Sequence, residues 1–145
     1  MKILFAVDGS PFTSKAAKYL VTHIQWFRDA PELHLLHVKS PNPVGLAVPR
    51  ARAILCNDAV DSYYKKEAAA ALAPAEKVLR KHELQFEASY KVGDISEEIQ
   101  QYVKKNKIDL IVMGSHGHGA LAGVVLGSVA TKVLATTTVP VLIVR

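Results

Sequence analysis

Lys2-Ile3-Leu4-Phe5-Ala6-Val7, followed by Asp8-Gly9-Ser10-Pro11, decides the fold. The run is nearly all apolar and does not alternate, as a strand covered on both faces requires. It stops at a turn cluster. From Thr13 to Phe27, Ala16, Ala17, Leu20, Ile24 and Phe27 recur at helical spacing, and Ser10 or Thr13 can cap that helix by accepting from a first-turn N–H. Leu33-His34-Leu35-Leu36-His37-Val38 then reads as a second strand. Strand, helix and strand with short joins make a βαβ unit, whose strands run parallel through a right-handed crossover.

Outward from this unit the alternation continues. Lys39 to Asn57 carries Pro41, Pro43, Gly45 and Pro49, which argue against a helix or central strand and predict a surface loop. Ala59 to His82 is rich in helix formers, with a kink or split expected at Pro74. Phe86–Val92 is a third strand, ending at Gly93-Asp94. Ser96-Glu97-Glu98 opens a helix that runs to Asn106 and buries Ile95, Ile99, Tyr102 and Val103. Its early carboxylates suit the helix dipole better than they suit a catalytic pair. Ile108–Met113 is the fourth strand, Gly127 or Ser128 begins the last helix, and Val139–Val144 is the fifth strand. The expected fold is a single α/β domain over residues 1–145, an open parallel five-stranded sheet with helices on both faces. Ligands of such sheets bind beyond the carboxyl ends of the strands, where the strand order reverses. That rule points to Asp8, Val38, Val92-Gly93 and Met113-Gly114.

Composition narrows the function. At 145 residues one hydrophobic core suffices, and 50% apolar with 21% charged residues excludes wholesale disorder. The single cysteine, Cys56, excludes an internal disulfide framework and suits a reducing compartment. No apolar run reaches the roughly 18 residues of a membrane helix, and Asp8 interrupts the first run too early for a secretory signal. A cytoplasmic domain away from the membrane is expected. The net charge of +5 is dispersed: Lys65-Lys66, Arg80-Lys81 and Lys104-Lys105 fall in separate segments and read as solvated helix faces. Without a basic stripe interleaved with aromatics, nucleic acid is not an expected partner.

The chemistry lies in Met113-Gly114-Ser115-His116-Gly117-His118-Gly119, which leaves the fourth strand and continues to Gly127-Ser128 at the last helix. Glycines let a backbone approach a ligand closely, and the free N–H groups of a helix N-terminus attract phosphate. Two better-known phosphate loops fail here. A Walker loop needs four residues between its glycines and then a lysine, whereas Gly123 precedes Gly127 by one residue too few and no lysine follows. The dinucleotide fingerprint fails as well, because Gly123 comes one place late after Gly117-x-Gly119 and the loop follows the fourth strand rather than the first.

Gly114-x-x-Gly117, nine residues, then Gly127-Ser128 resembles the nucleotide-binding pattern of the universal stress protein family. Val7-Asp8-Gly9-Ser10, Leu35-Leu36-His37-Val38 and Val139-Pro140-Val141-Leu142-Ile143-Val144 are similar to that family in the same order along the chain. The resemblance implies a Rossmann-like, adenine nucleotide alpha hydrolase-like sheet of order 3-2-1-4-5. It implies an adenine nucleotide (ATP, or AMP or ADP) beside Ala6, Val7 and Asp8, with adenine against the backbone of Val38. Met113, Gly114 and Gly117 would pass close to ribose and phosphates, and Gly127, Ser128, Val129 and Ala130 would hold the phosphate tail. It also implies a homodimer paired through Val139–Val144, an apolar strand expected at the sheet edge.

The remaining residues are weighed on their own chemistry. Among the histidines, His34 and His37 fall on opposite faces of a strand and make no joint metal site. His116 and His118 lie in the glycine loop, exposed or donating to phosphate. No metal-ligand set is expected, and Mg²⁺ would arrive on phosphate oxygens. Cys56 has no partner base and reads as an ordinary thiol, and Trp26 as a packing residue of the first helix. The function the resemblance implies is an ATP-binding stress-response module, regulatory or protective, with protein partners the sequence does not identify. A slow ATPase or ATP-dependent transferase using the same pocket, and a nucleotide-independent dimeric scaffold, are the alternatives. With no lysine in the loop and no base beyond Asp8, hydrolysis would be slow at most.

Overall fold

β1 (Lys2–Val7) is the central strand of a five-stranded parallel sheet ordered β3-β2-β1-β4-β5 in the computed structural model, which describes residues 1–27, 29–41, 57–119 and 125–145. Phe5 is in register with Leu35 of β2 (Glu32–Lys39) on one side and with Val112 of β4 (Leu110–Gly114) on the other. β3 (Phe86–Val92) lies outside β2, and β5 (Val141–Val144) outside β4. Alternation along β1 divides the core. Ile3, Phe5 and Val7 join Leu35 and Val112 beneath α1 (Pro11–Thr22) and α2 (Asn57–Lys81). Leu4 faces the other way, with Leu36, Ile111 and Met113 beneath α3 (Ile95–Asn106) and α4 (Ser128–Thr136). Each fully buried side chain of this kind contributes about 1.5–3 kcal/mol, which explains why β1 is apolar on both faces.

Several boundaries depart from the sequence expectation, each for a local reason. α1 begins at Pro11, with Ser10 as N-cap accepting from the Thr13 N–H at 3.3 Å. It ends at Thr22 and is followed by a 3₁₀ turn, Ile24–Trp26. Trp26 is therefore no packing residue of α1: it is 65% exposed, in contact with the rings of Tyr19 and His23. α2 runs unbroken through Pro74, so the expected split is absent. β4 starts at Leu110 rather than Ile108, because Lys107 ends α3 in the left-handed region and the Ile108 N–H turns back to the Val103 carbonyl at 3.0 Å. β5 starts at Val141, after Pro140, which has no N–H for the ladder.

His34 and His37 are both buried and separately bonded. His34 bridges Glu32 and the Tyr102 hydroxyl, whereas His37 Nδ1 donates to the Val7 carbonyl at 2.9 Å. Lys65, Lys66, Arg80, Lys81, Lys104 and Lys105 are all exposed, as solvated helix faces require. No described helix is long and apolar enough to cross a membrane. Cys56 and most of the proline-rich loop fall outside the described residues.

Candidate functional site

β1 and β4 are neighbours whose chains leave the sheet in opposite directions, one into α1 on one face and the other towards α4 on the opposite face. A crevice opens at such a reversal of strand order. Here it encloses about 280 Å³ at the carboxyl ends of the central strands.

One wall is the turn after β1. Asp8 Oδ1 accepts from the Ser10 N–H at 2.9 Å and from the Thr13 hydroxyl at 2.8 Å, and the Asp8 N–H donates to Thr13 Oγ1 at 3.1 Å. The carboxylate is thus held by its own turn and still lines the cleft with Oδ2. Capping and a place in the cleft coexist at this residue.

The opposite wall is the glycine loop. Ser115, fully buried, donates its N–H to the Val144 carbonyl at 2.8 Å, and its carbonyl accepts from the Gly127 N–H at 2.8 Å. These two bonds pin the departure and return of the loop to the end of β5. His116 Nδ1 is 3.0 Å from Ser115 Oγ, and its ring centroid is 5.1 Å from that of Phe12. His118 Nε2 donates to the Asp8 carbonyl at 2.8 Å, an acceptor that fixes the proton on that nitrogen.

Close approach explains three of the glycines without any ligand. A Cβ on Gly117 would sit 2.6 Å from Asp8 Oδ2, and one on Gly114 would sit 2.7 Å from Phe12 Cβ. One on Gly127 would come within 3.2 Å of His116 Cα and 3.3 Å of the Ser115 oxygen. Gly127 also serves as the N-cap of α4 with no side chain to offer the first turn, and the first returning bond is from Thr131 N–H to the Gly127 carbonyl at 3.0 Å. The Ser128, Val129 and Ala130 amides therefore have no intrahelical acceptor, and these residues line the cleft. No acidic residue occupies that turn.

The floor differs in character. Leu36 and Val38 share one face of β2, and Ile95 and Ile99 stand one turn apart on α3; with Met113 they form the apolar end of the cleft. A ligand with a flat apolar part and an anionic tail matches this division between apolar floor and amide-rich rim. Glycine clearance, unpaired amides and a hydroxyl at Ser128 are the donor set an oligophosphate needs. A protein-held metal is a poorer fit: no cluster of three or more histidine, cysteine or acidic side chains occurs among the described residues.

Every residue that the sequence and the resemblance assign to the nucleotide lines this one cleft. Val92 and Gly93 do not. Val92 ends β3, an outer strand separated from the β1–β4 crevice by β2; Gly93 follows it, its N–H bound to the Lys39 carbonyl, with the Glu98 side chain packed beside it. Thr13, Leu36, Ile95, Ile99, Ser115 and Gly119 also line the cleft, and the sequence reading assigns none of them to the ligand. The i, i+2 relation of Leu36 to Val38, the i, i+4 spacing of the isoleucines and the place of Ser115 and Gly119 within the glycine loop are the signals that could have found five of them.

The universal stress protein family model matches residues 1–145. Among individual relatives, Universal stress protein YxiE of Bacillus subtilis is 34% identical over 150 residues, covering 99% of this chain and 98% of its own. Universal stress protein Slr1230 of Synechocystis is 34% identical over 144 residues; this chain spans 99% of itself in that match but only 42% of the longer protein. The solved structure of MJ0577 from Methanocaldococcus jannaschii superposes with a TM-score of 0.72 at 29% identity, covering 99% of this chain and 94% of that one. Two more distant structures share the fold. The Archaeoglobus fulgidus universal stress protein in complex with dAMP has a TM-score of 0.67 at 18% identity, covering 100% and 98% of the two chains. The Arabidopsis thaliana protein At3g01520 with AMP bound has a TM-score of 0.65 at 19% identity, covering 99% and 90%.

Proposed function

The chain belongs to the universal stress protein family, and on that premise we propose that it binds an adenine nucleotide, ATP foremost, as a cytoplasmic regulatory or protective module of a stress response. The observation that carries this reading is the uncapped first turn of α4 opening onto a cleft whose far end is apolar. Adenine takes the floor formed by Leu36, Val38, Ile95 and Ile99, with ribose beside Asp8. The phosphate tail lies along Gly114, Gly117 and Gly127, on the amides of Ser128, Val129 and Ala130. Complexes of the same fold with AMP and with dAMP support the choice of base. Mg²⁺, where it accompanies ATP, comes on the phosphates, since among the described residues the cleft offers it only the Asp8 carboxylate as an acidic group.

The reading is of binding rather than rapid turnover. Asp8 Oδ1 is already committed to Ser10 and Thr13, and among the described residues neither lysine nor arginine lines the cleft to stabilise developing phosphate charge. Nucleotide occupancy acts by favouring one conformation or partner-binding state, with an effect set by its differential affinity for the two.

Calorimetry with ATP, AMP and GTP, run beside a phosphate-release assay, tests this. Saturable ATP binding with little release is expected, and Gly117→Val combined with Gly127→Val is expected to abolish binding. Undiminished affinity in a folded double variant would show that the phosphates lie elsewhere. Release that disappears in Asp8→Asn would instead identify an enzyme.

A further inference from the structure

The two loops that form the cleft meet at one residue. Asp8 is approached by consecutive members of the glycine loop: Gly117 packs against its carboxylate, where even a methyl group would lie 2.6 Å from Oδ2, and His118 Nε2 donates to its main-chain carbonyl at 2.8 Å. Resting on the nucleotide-binding reading above, we infer that His118 is a positioning residue whose imidazole latches the glycine loop to the end of β1 and makes nucleotide binding proton-linked.

The latch commits one ring nitrogen, Nε2. A carbonyl can only accept, so Nε2 carries the hydrogen in the latch, and a neutral ring leaves Nδ1 without one. Taking up a proton does not break the latch. It strengthens the bond to Asp8, as charge assistance does, and places a full positive charge on a residue of the cleft wall. A bound polyanion favours that charged form, and by linkage the charged form binds the polyanion more tightly. Imidazole is the side chain that makes this change between about pH 5 and 8.

Among the described residues, several charged and titratable groups stand near the two loops, including Arg145, which donates to the Val125 carbonyl. The turn after β1 contributes the Asp8 carboxylate, whose Oδ1 is bound to Ser10 and Thr13. The loop itself contributes His116, bonded to Ser115. From α1, Lys15 Nζ stands 5.3 Å over the Phe12 ring that packs against His116. α2 meets the turn at Ala70 and Ala71, beside Gly9, and its Glu67 is paired with Lys39. The first turn of α4 carries no acid, and Lys132, on the same helix, is paired with Asp94. None of these pairings depends on His118.

The phosphates of ATP also titrate in this range, so the test is a comparison between proteins. ATP affinity is measured by calorimetry for the full chain and for His118→Gln from pH 8 to pH 5.5. Glutamine can donate to the Asp8 carbonyl but cannot take up the proton. The ratio of wild-type to variant affinity is expected to rise roughly fivefold as pH falls, the scale of a partly screened charge pair. A ratio that stays constant across the range overturns the inference. Because the substitution can disturb the loop, the wild-type imidazole is also followed by NMR. Its titration midpoint is expected to move upward when ATP saturates the site, and an unmoved midpoint overturns the inference independently. Absence of nucleotide binding by the wild type at every pH refutes the functional reading itself, and with it this inference.

Discussion

Gly9 and Gly119 lie on the two loops that meet at Asp8, and they answer to different constraints. Gly9 holds φ at +79°, and a Cβ there would stand 2.9 Å from the Ala71 Cα of α2. Gly119 has nothing within 4 Å of the same position. Gly9→Ala is therefore expected to cost about 2–3 kcal/mol, from left-handed strain together with a clash against rigid backbone. Gly119→Ala should stay within about 0.5 kcal/mol of the wild type. Urea unfolding at constant slope measures both, and equal losses would refute the distinction. At this scale the sequence is legible for residue type but not for reason. The spacing of Gly114, Gly117 and Gly127 announces a loop that nothing with a side chain could replace. That Gly114 yields to Phe12, and Gly127 to Ser115 and His116, depends on neighbours that only the folded topology supplies.

Among the elements, α3 shows how a local signal fixes a boundary. Asp94 accepts from the Ser96 and Glu97 N–H groups, Glu97 and Glu98 fill the first turn, and Lys104 and Lys105 the last. The hydrogen bond from the Glu97 N–H is the first cause holding the Asp94 carboxyl below its ordinary value of 3.8, with the Lys132 charge and the Ser96 N–H adding to it. A carboxyl lowered on folding stabilises the native state fully above its unfolded value, and this contribution is lost as pH falls through the lowered folded value. Asp94→Ala should thus lower the thermal midpoint near pH 7, and the gap to wild type should shrink towards pH 2. A gap independent of pH would show that the carboxylate charge plays no part in the cap. Asp94 was readable beforehand only as the end of β3, although an Asp three residues before Glu97 is a capping signature. Periodicity found the element and missed its first residue. Pro74 misled in the opposite sense, because packing of Leu72, Ala75 and Leu79 into the core carries α2 past the lost hydrogen bond.

For the molecule as a whole, the alternation of strands and helices was enough to put the cleft at the carboxyl edge of the sheet, since parallel crossovers leave few ways to arrange the strands, but not to exclude the end of β3. The spacing of Ile95 and Ile99 marks one apolar face of α3, but which part of the sheet that face covers depends on the tertiary approach of α3 to β2. The same sheet presents two unlike edges. β3 carries Glu87 and Lys91, both exposed, which discourage pairing with another strand, whereas β5 is Val141-Leu142-Ile143-Val144 without a charge. Among the described residues β5 is paired only with β4, and exposed Leu134 is on the adjoining α4. We therefore propose that a second copy of the chain pairs along β5. The same proposal gives each copy its own cleft, as the family resemblance implies, with the paired edge lying outside the residues that line it. Val141→Lys or Ile143→Lys is accordingly expected to shift sedimentation towards monomer while calorimetry still registers ATP. A dimer that persists unchanged in both variants places the interface elsewhere. Loss of ATP affinity in step with dissociation would instead show that the Val144–Ser115 hydrogen bond transmits the state of this edge to the glycine loop.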